Sequence, residues 1–306
     1  MEYVIETDRL TRYYGANPVV DSLSLRVPKG CIYGFLGRNG AGKSTTIKMM
    51  LGFVTPTRGS STIFGEDSLK LSPKTRGRIG YLAEGHYVYE WMTVNECRDF
   101  QRGTYGKWND DLFVGVIQHF GISLKDKAKN LSRGQRAGLC LGLTLSPEPE
   151  LLILDDPALG LDPVARHSLL QAMVFVTRNG DQTILFSSHM LADVERVADR
   201  IAVMDRGVLR AECSLETFRK NVRQYVLSFA GTPPELPELQ GVLQLLRTDR
   251  DLIVTLANPT SESFAQLKAL SPLSMTDTPL GLEDAFINYL GDPGTATFLS
   301  GQSSNV

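Results

Sequence analysis

Cys31-Ile32-Tyr33-Gly34-Phe35-Leu36-Gly37-Arg38-Asn39-Gly40-Ala41-Gly42-Lys43-Ser44-Thr45 is the stretch that decides the fold. Cys31–Leu36 is an apolar run of strand length and reads as a buried strand. Gly37–Thr45 then forms a glycine-rich loop that fits G-x-x-x-x-G-K-[ST], and Thr46–Leu51 reads as the first turns of a helix. A triphosphate carries several negative charges and needs many donors at close range. Glycines let the backbone curl so that successive N–H groups point inward as an anion nest. The helix behind the loop presents its positive end to the same phosphates. In this reading Lys43 bridges the outer phosphates and Ser44 offers its hydroxyl to Mg²⁺.

Outward from the loop, short apolar runs alternate with helical patterns, which predicts an α/β domain. Leu151–Leu154 reads LLIL and is followed by Asp155 and Asp156. A strand that ends in an acid beside a phosphate loop aims Asp155 at Mg²⁺, directly or through a water. Thr183–Phe186 reads TILF and runs into Ser187, Ser188 and His189. Helices are expected over Val164–Arg178 and Leu191–Ala198. Thr93 and Glu96 have capping-box spacing. From Thr93 to about Leu145 the pattern is mostly helical, a helical insert within one α/β core, and its last helix is expected to run from Ser132 through Leu145.

After about Ala211 the pattern changes. Gln224–Ala230 and Asp251–Ala257 alternate apolar and polar residues, as half-buried strands do. Ser261–Leu270 and Leu282–Leu290 read as helices. The expected organisation is an α/β domain over residues 1–215, a small α+β domain over 216–290, and a frayed tail over 291–306, which is rich in Gly, Ser and Thr. One glycine-rich loop and no internal repeat give one nucleotide site per chain.

Composition narrows the partners. Of 306 residues, 32 are Lys or Arg and 34 are Asp or Glu, so the chain lacks the basic footprint of a nucleic-acid binder. Cys31, Cys97, Cys140 and Cys213 are scattered among apolar neighbours without a CxxC pair, which fits small core residues in a reducing cytosol. Met1–Leu10 mixes Glu2, Glu6, Asp8 and Arg9 with apolar residues and does not read as a signal peptide. No uninterrupted apolar stretch approaches the roughly 18 residues that span a bilayer, so work at a membrane would need a membrane partner.

Leu131-Ser132-Arg133-Gly134-Gln135 resembles the LSGGQ signature loop of ABC ATPases, and it lies shortly before the Asp155 strand, as in that family. The resemblance covers about residues 1–215. It implies a P-loop α/β ATPase core that uses ATP and Mg²⁺. Gly37, Arg38, Asn39, Gly40, Ala41, Gly42, Lys43, Ser44 and Thr45 would hold the phosphates. Tyr14 would stack on adenine, with Tyr13 as its rival. Ser44, Glu84 and Asp155 would hold Mg²⁺, while Asp156, His189 and Glu84 would serve hydrolysis. Ser132, Arg133, Gly134 and Gln135 would close the ATP of a second subunit, identical or related, and Asp162 would face that subunit. The family also implies a separately encoded membrane permease, contacted near Tyr87–Arg102, and a place at the cytoplasmic face of the membrane. Leu282-Glu283-Asp284-Ala285-Phe286 is similar to the LEDxF segment that ends many bacterial exporter ATPases.

The chain departs from the family at several positions. Asp156 stands where Glu is usual, a side chain shorter by about 1.5 Å. A misplacement of about 1 Å can cost on the order of 10²-fold in rate, so reduced but nonzero hydrolysis is expected. The alternative is a nucleotide-gated subunit with little turnover. Glu84 replaces the usual Gln, Arg133 replaces a signature Gly, and Ala137-Gly138 stands where Gln-Arg is common. A soluble ABC ATPase acting on ribosomes or DNA would carry two cassettes or long insertions, and neither is present. Cargo selection would belong to the permease.

Overall fold

The computed structural model describes residues 2–177 and 182–290. Its chain falls into two compact units that divide between Glu212 and Cys213. Each is described by itself.

The first unit opens with three antiparallel strands, β1 (Tyr3–Tyr14), β2 (Asn17–Leu23) and β3 (Arg26–Pro28). Then come β4 (Ile32–Gly37), the glycine-rich loop and helix α1 (Lys43–Met50). Next are β5 (Arg58–Ile63), β6 (Glu66–Asp67), the short helix α2 (Pro73–Arg76) and β7 (Ile79–Leu82). The helical insert consists of α3 (Val94–Arg102), α4 (Asp110–His119) and α5 (Arg133–Leu145). The unit continues with β8 (Leu151–Leu154), α6 (Pro163–Thr177), β9 (Thr183–Ser188), α7 (Leu191–Val197), β10 (Arg200–Asp205) and β11 (Val208–Ser214).

Two sheets result. One has the order β2-β1-β5-β6, with β3 also paired to β1. The other has the order β11-β10-β4-β9-β8-β7, and the run β10-β4-β9-β8-β7 is parallel throughout. All four residues of β8 and all six of β4 are buried, the continuous apolar pattern of a parallel sheet covered on both faces. Ile5, Val20, Phe35, Ile47, Met49, Ile153 and Met204 share one core with both sheets and α1. Each such side chain contributes roughly 1.5–3 kcal/mol on burial. A second core, including Val94, Cys97, Phe113, Ile117 and Leu139, holds the insert together.

The register positions the site. Leu36 pairs with Ser188, and Leu154 with Phe186. The carboxyl ends of β4, β8 and β9 therefore finish side by side, the edge where open α/β sheets bind ligands.

The second unit carries α8 (Leu215–Asn221), β12 (Val222–Ser228), β13 (Val242–Arg247), β14 (Asp251–Ala257), α9 (Ser261–Ala269), β15 (Ser274–Pro279) and α10 (Leu282–Leu290). Its sheet has the order β13-β14-β12-β15 and is antiparallel. Tyr225, Leu227, Leu252, Val254 and Leu267 form its core.

Several expected boundaries move. The helix after the loop begins at Lys43 rather than Thr46, and the strand before it includes Gly37, so the loop proper is Arg38–Gly42. β9 continues past Phe186 through Ser188, and β12 starts two residues before Gln224. Arg178, expected to end a helix, and the expected tail 291–306 lie outside the described residues. Among the described residues no helix is long and apolar enough to cross a membrane.

Candidate functional site

The loop Arg38–Gly42 is shaped by its last residue. Gly42 has φ 108°, and a Cβ there would sit 2.5 Å from the carbonyl oxygen of Val19. Only glycine suits both the torsion and the close approach. No side chain caps the first turn of α1, which leaves its leading N–H groups for an anion to satisfy. Lys43 is buried, and its Nζ donates to the carbonyls of Gly37 at 2.8 Å and Arg38 at 3.2 Å. Burial lowers its pKa from the ordinary lysine value, against the opposing pull of the Asp156, Asp155 and Glu84 carboxylates. Those four charges therefore share one field, although Glu84 itself is exposed.

The two strand-end acids have different surroundings. Asp155, almost fully buried, accepts at Oδ1 from Ser44 Oγ (3.0 Å) and Ser187 Oγ (2.8 Å). Asp156 donates its backbone N–H to Ser187 Oγ at 2.8 Å. Its Oδ2 lies 2.9 Å from His189 Nδ1. An ionised carboxylate only accepts, so Nδ1 carries the proton in this pair. Asp156 has φ 44°, a left-handed torsion that aspartate tolerates better than most residues.

The donor set suits Mg²⁺. Ser44 and Asp155, bonded to each other, offer only oxygen, as does Glu84. Mg²⁺ prefers this arrangement, taking one or two protein carboxylates together with phosphates and waters.

The other expected site residues lie elsewhere on the unit. Ser132 caps α5 by a capping box, with Gln135 N–H donating to Ser132 Oγ (3.2 Å) and Ser132 N–H to Gln135 Oε1 (3.0 Å). Gln135 also reaches the carbonyl of Gly121. Gly134 packs so tightly on the start of α6 that an added Cβ would lie 2.6 Å from Ala165 Cβ. Arg133 is exposed, and its Nη1 points toward Gly160. Asp162 caps α6, accepting at Oδ1 from the N–H groups of Val164 (2.9 Å) and Ala165 (3.0 Å). Among the described residues, no hydrogen bond or ion pair joins Ser132–Gln135 to the Lys43 group within the chain. Tyr14 is half exposed at the end of β1, with the Arg12 guanidinium 4.7 Å from its ring centroid. Tyr13 is partly buried.

Sequence reasoning missed His86. It is buried, and its Nε2 lies 2.9 Å from the carbonyl oxygen of Pro157. Nothing local in Glu84-Gly85-His86-Tyr87 marks the imidazole as inward-facing, because the contact is made 71 residues away in the chain.

The arrangement can hold a polyphosphate at the loop and Lys43, a hard cation at Ser44 and Asp155, and a water near Asp156 and His189. Comparison with known proteins identifies the family. The family model described as ABC transporter matches residues 20–159. The bacitracin transport ATP-binding protein BcrA of Bacillus licheniformis is 35% identical over 95% of this chain and 98% of its own length. Among solved structures, the ATP-binding subunit of an ABC transporter superposes with a TM-score of 0.64 at 30% identity, covering 71% of this chain and 92% of that one. The bacterial ABC transporter cassette MJ0796, solved as a dimer, shares the fold with a TM-score of 0.62 at 20% identity, over 69% of this chain and 98% of its own. On these grounds the chain belongs to the ABC transporter family and is an ATP-binding subunit within it.

Proposed function

We propose that this chain hydrolyses ATP to drive a separate membrane permease, as the paired motor subunit of an exporter. The observation that carries the reading is the bonded series Ser44–Asp155–Ser187–Asp156–His189 beside Lys43. Lys43 and the first turn of α1 hold the phosphates. Ser44, Asp155 and Glu84 hold Mg²⁺, which when bound neutralises phosphate charge. Asp156 orients the attacking water, and His189 holds Asp156 through Nδ1–H, its other ring nitrogen donating to the γ-phosphate when the ring carries a second proton. Tyr14 stacks on adenine.

Ser132–Gln135 cap their own helix and lack a bond to the Lys43 group, which supports their use in trans: two subunits meet head to tail, and each signature closes the other's ATP. Asp162, at the start of α6, faces the second subunit. MJ0796, solved as a dimer, supports pairing of two such cassettes. ATP binding then favours the closed pair and hydrolysis releases it, a population shift that the permease converts into transport. Residues 1–215 act as the motor and 216–290 as an accessory domain. Tyr87, Tyr89, Trp91 and Phe100 are all exposed, and such aromatics suit a docking surface for the permease. The transport role draws support from BcrA, named for bacitracin transport.

Asp156 also favours a second reading, a nucleotide-gated subunit with little turnover. Steady-state phosphate release decides between the two. Turnover that Lys43→Ala abolishes supports the motor. ATP binding without turnover in the wild type refutes it in favour of gating.

A further inference from the structure

We infer that His86 is a positioning residue for Asp156, holding the turn that carries this acid through the carbonyl of Pro157. The inference rests on the hydrolytic reading above. His86 is only 6% exposed, and its Nε2 lies 2.9 Å from Pro157 O. A carbonyl only accepts, so Nε2 carries the hydrogen and donates it.

The bond links two left-handed pieces of backbone. Asp156, immediately before Pro157, has φ 44°, and His86 has φ 51°. Gly85 precedes His86 with φ 95°, so the chain turns inward directly after Glu84 to bury this one ring. Torsions of this kind persist where surrounding contacts over-determine them, and they concentrate at functional sites. On the side-chain side Asp156 is held by His189, and on the backbone side by Ser187. His86 supplies a third constraint, one peptide further on.

The same histidine lines a cavity of about 410 Å³ with Leu131, Arg133, Arg136, Leu159 and Gly160. It therefore lies where the segment after Glu84, the start of α5 and the segment after Asp156 converge. Of the two arginines at that cavity, Arg136 pairs with Glu90 at 3.4 Å.

The test compares His86→Gln with His86→Asn in the full-length chain, beside wild type and Lys43→Ala, using ATP and Mg²⁺. The Gln amide nitrogen reaches about as far as Nε2, whereas the Asn nitrogen falls short. Gln should hydrolyse near the wild-type rate. Asn should lose on the order of 10- to 100-fold in kcat, with KM for ATP and the thermal midpoint close to those of Gln. Equal kcat for the two variants, or a loss confined to KM, overturns the positioning role. Wild-type turnover no greater than that of Lys43→Ala overturns the hydrolytic reading itself, and the positioning role with it.

Discussion

Asp156→Glu is the perturbation that weighs this chain's departure from its family. The substitution moves the carboxylate outward by about 1.5 Å. In the wild type Oδ2 sits 2.9 Å from His189 Nδ1, drawn back toward β9. The longer side chain brings an oxygen nearer to water beyond that contact. If the short acid misplaces the water by about 1 Å, the correction raises kcat on the order of 10- to 100-fold, with KM for ATP unchanged. The gain comes with a loss of stability. Position 156 has φ 44°, where glutamate is strained by roughly 1 kcal/mol, and that lowers the midpoint of a domain this size by about 2–4 °C. The assay is steady-state phosphate release from the full-length chain with saturating ATP and Mg²⁺, with Asp156→Asn as the charge-removing control. Asp156→Asn should abolish turnover. A kcat for Asp156→Glu at or below wild type would refute the reasoning from reach, and the short acid would then be matched to its strained backbone.

Two further outcomes concern stability. Gly134→Ala should cost about 1–3 kcal/mol by overpacking α5 on α6, since the new Cβ meets Ala165 at 2.6 Å; thermal unfolding measures it, and an unchanged midpoint would show that the helices part freely. For pH, the buried His86 has a folded pKa below 6.5, so the unfolded chain takes up its proton first as pH falls. Stability present above about pH 6.5 is therefore lost on acidification toward the depressed value, with a slope of up to about 1.4 kcal/mol per pH unit. Denaturant unfolding at pH 7.5 and 5.5 should show this slope, and His86→Gln should flatten it; equal slopes would assign the acid sensitivity to other groups.

The parts of the fold that could be read from the chain are those with local causes. Cys31–Leu36, Leu151–Leu154 and Thr183–Phe186 are short apolar runs that end in glycine, acid or serine, and each became a buried parallel strand. The Thr93 box is a three-residue pattern and formed as such, with Thr93 Oγ1 accepting from Glu96 N–H at 3.2 Å. β1 escaped notice because its pattern is interrupted. Arg9 has φ 44°, and the polar Thr7 is buried, its hydroxyl donating to Leu23 O and accepting from Leu25 N–H. β15 reads SMTDTP and is almost wholly exposed, so it shows no alternation to detect. In the site, the glycine loop and the two acids are spelled out in order. The inward turn of His86 depends on a partner far along the chain, and no local window contains it.

Ser187 has a single hydrogen to give. It gives that hydrogen to Asp155 and takes one from the backbone of Asp156. Two neighbouring aspartates with identical side chains are thereby made unequal by a residue on another strand. Any change at position 187 that removes the hydroxyl takes one of two donors from Asp155 Oδ1 and leaves the backbone N–H of Asp156 without its acceptor in the same event. One hydroxyl on β9 thus ties the side chain of the first acid to the backbone of the second.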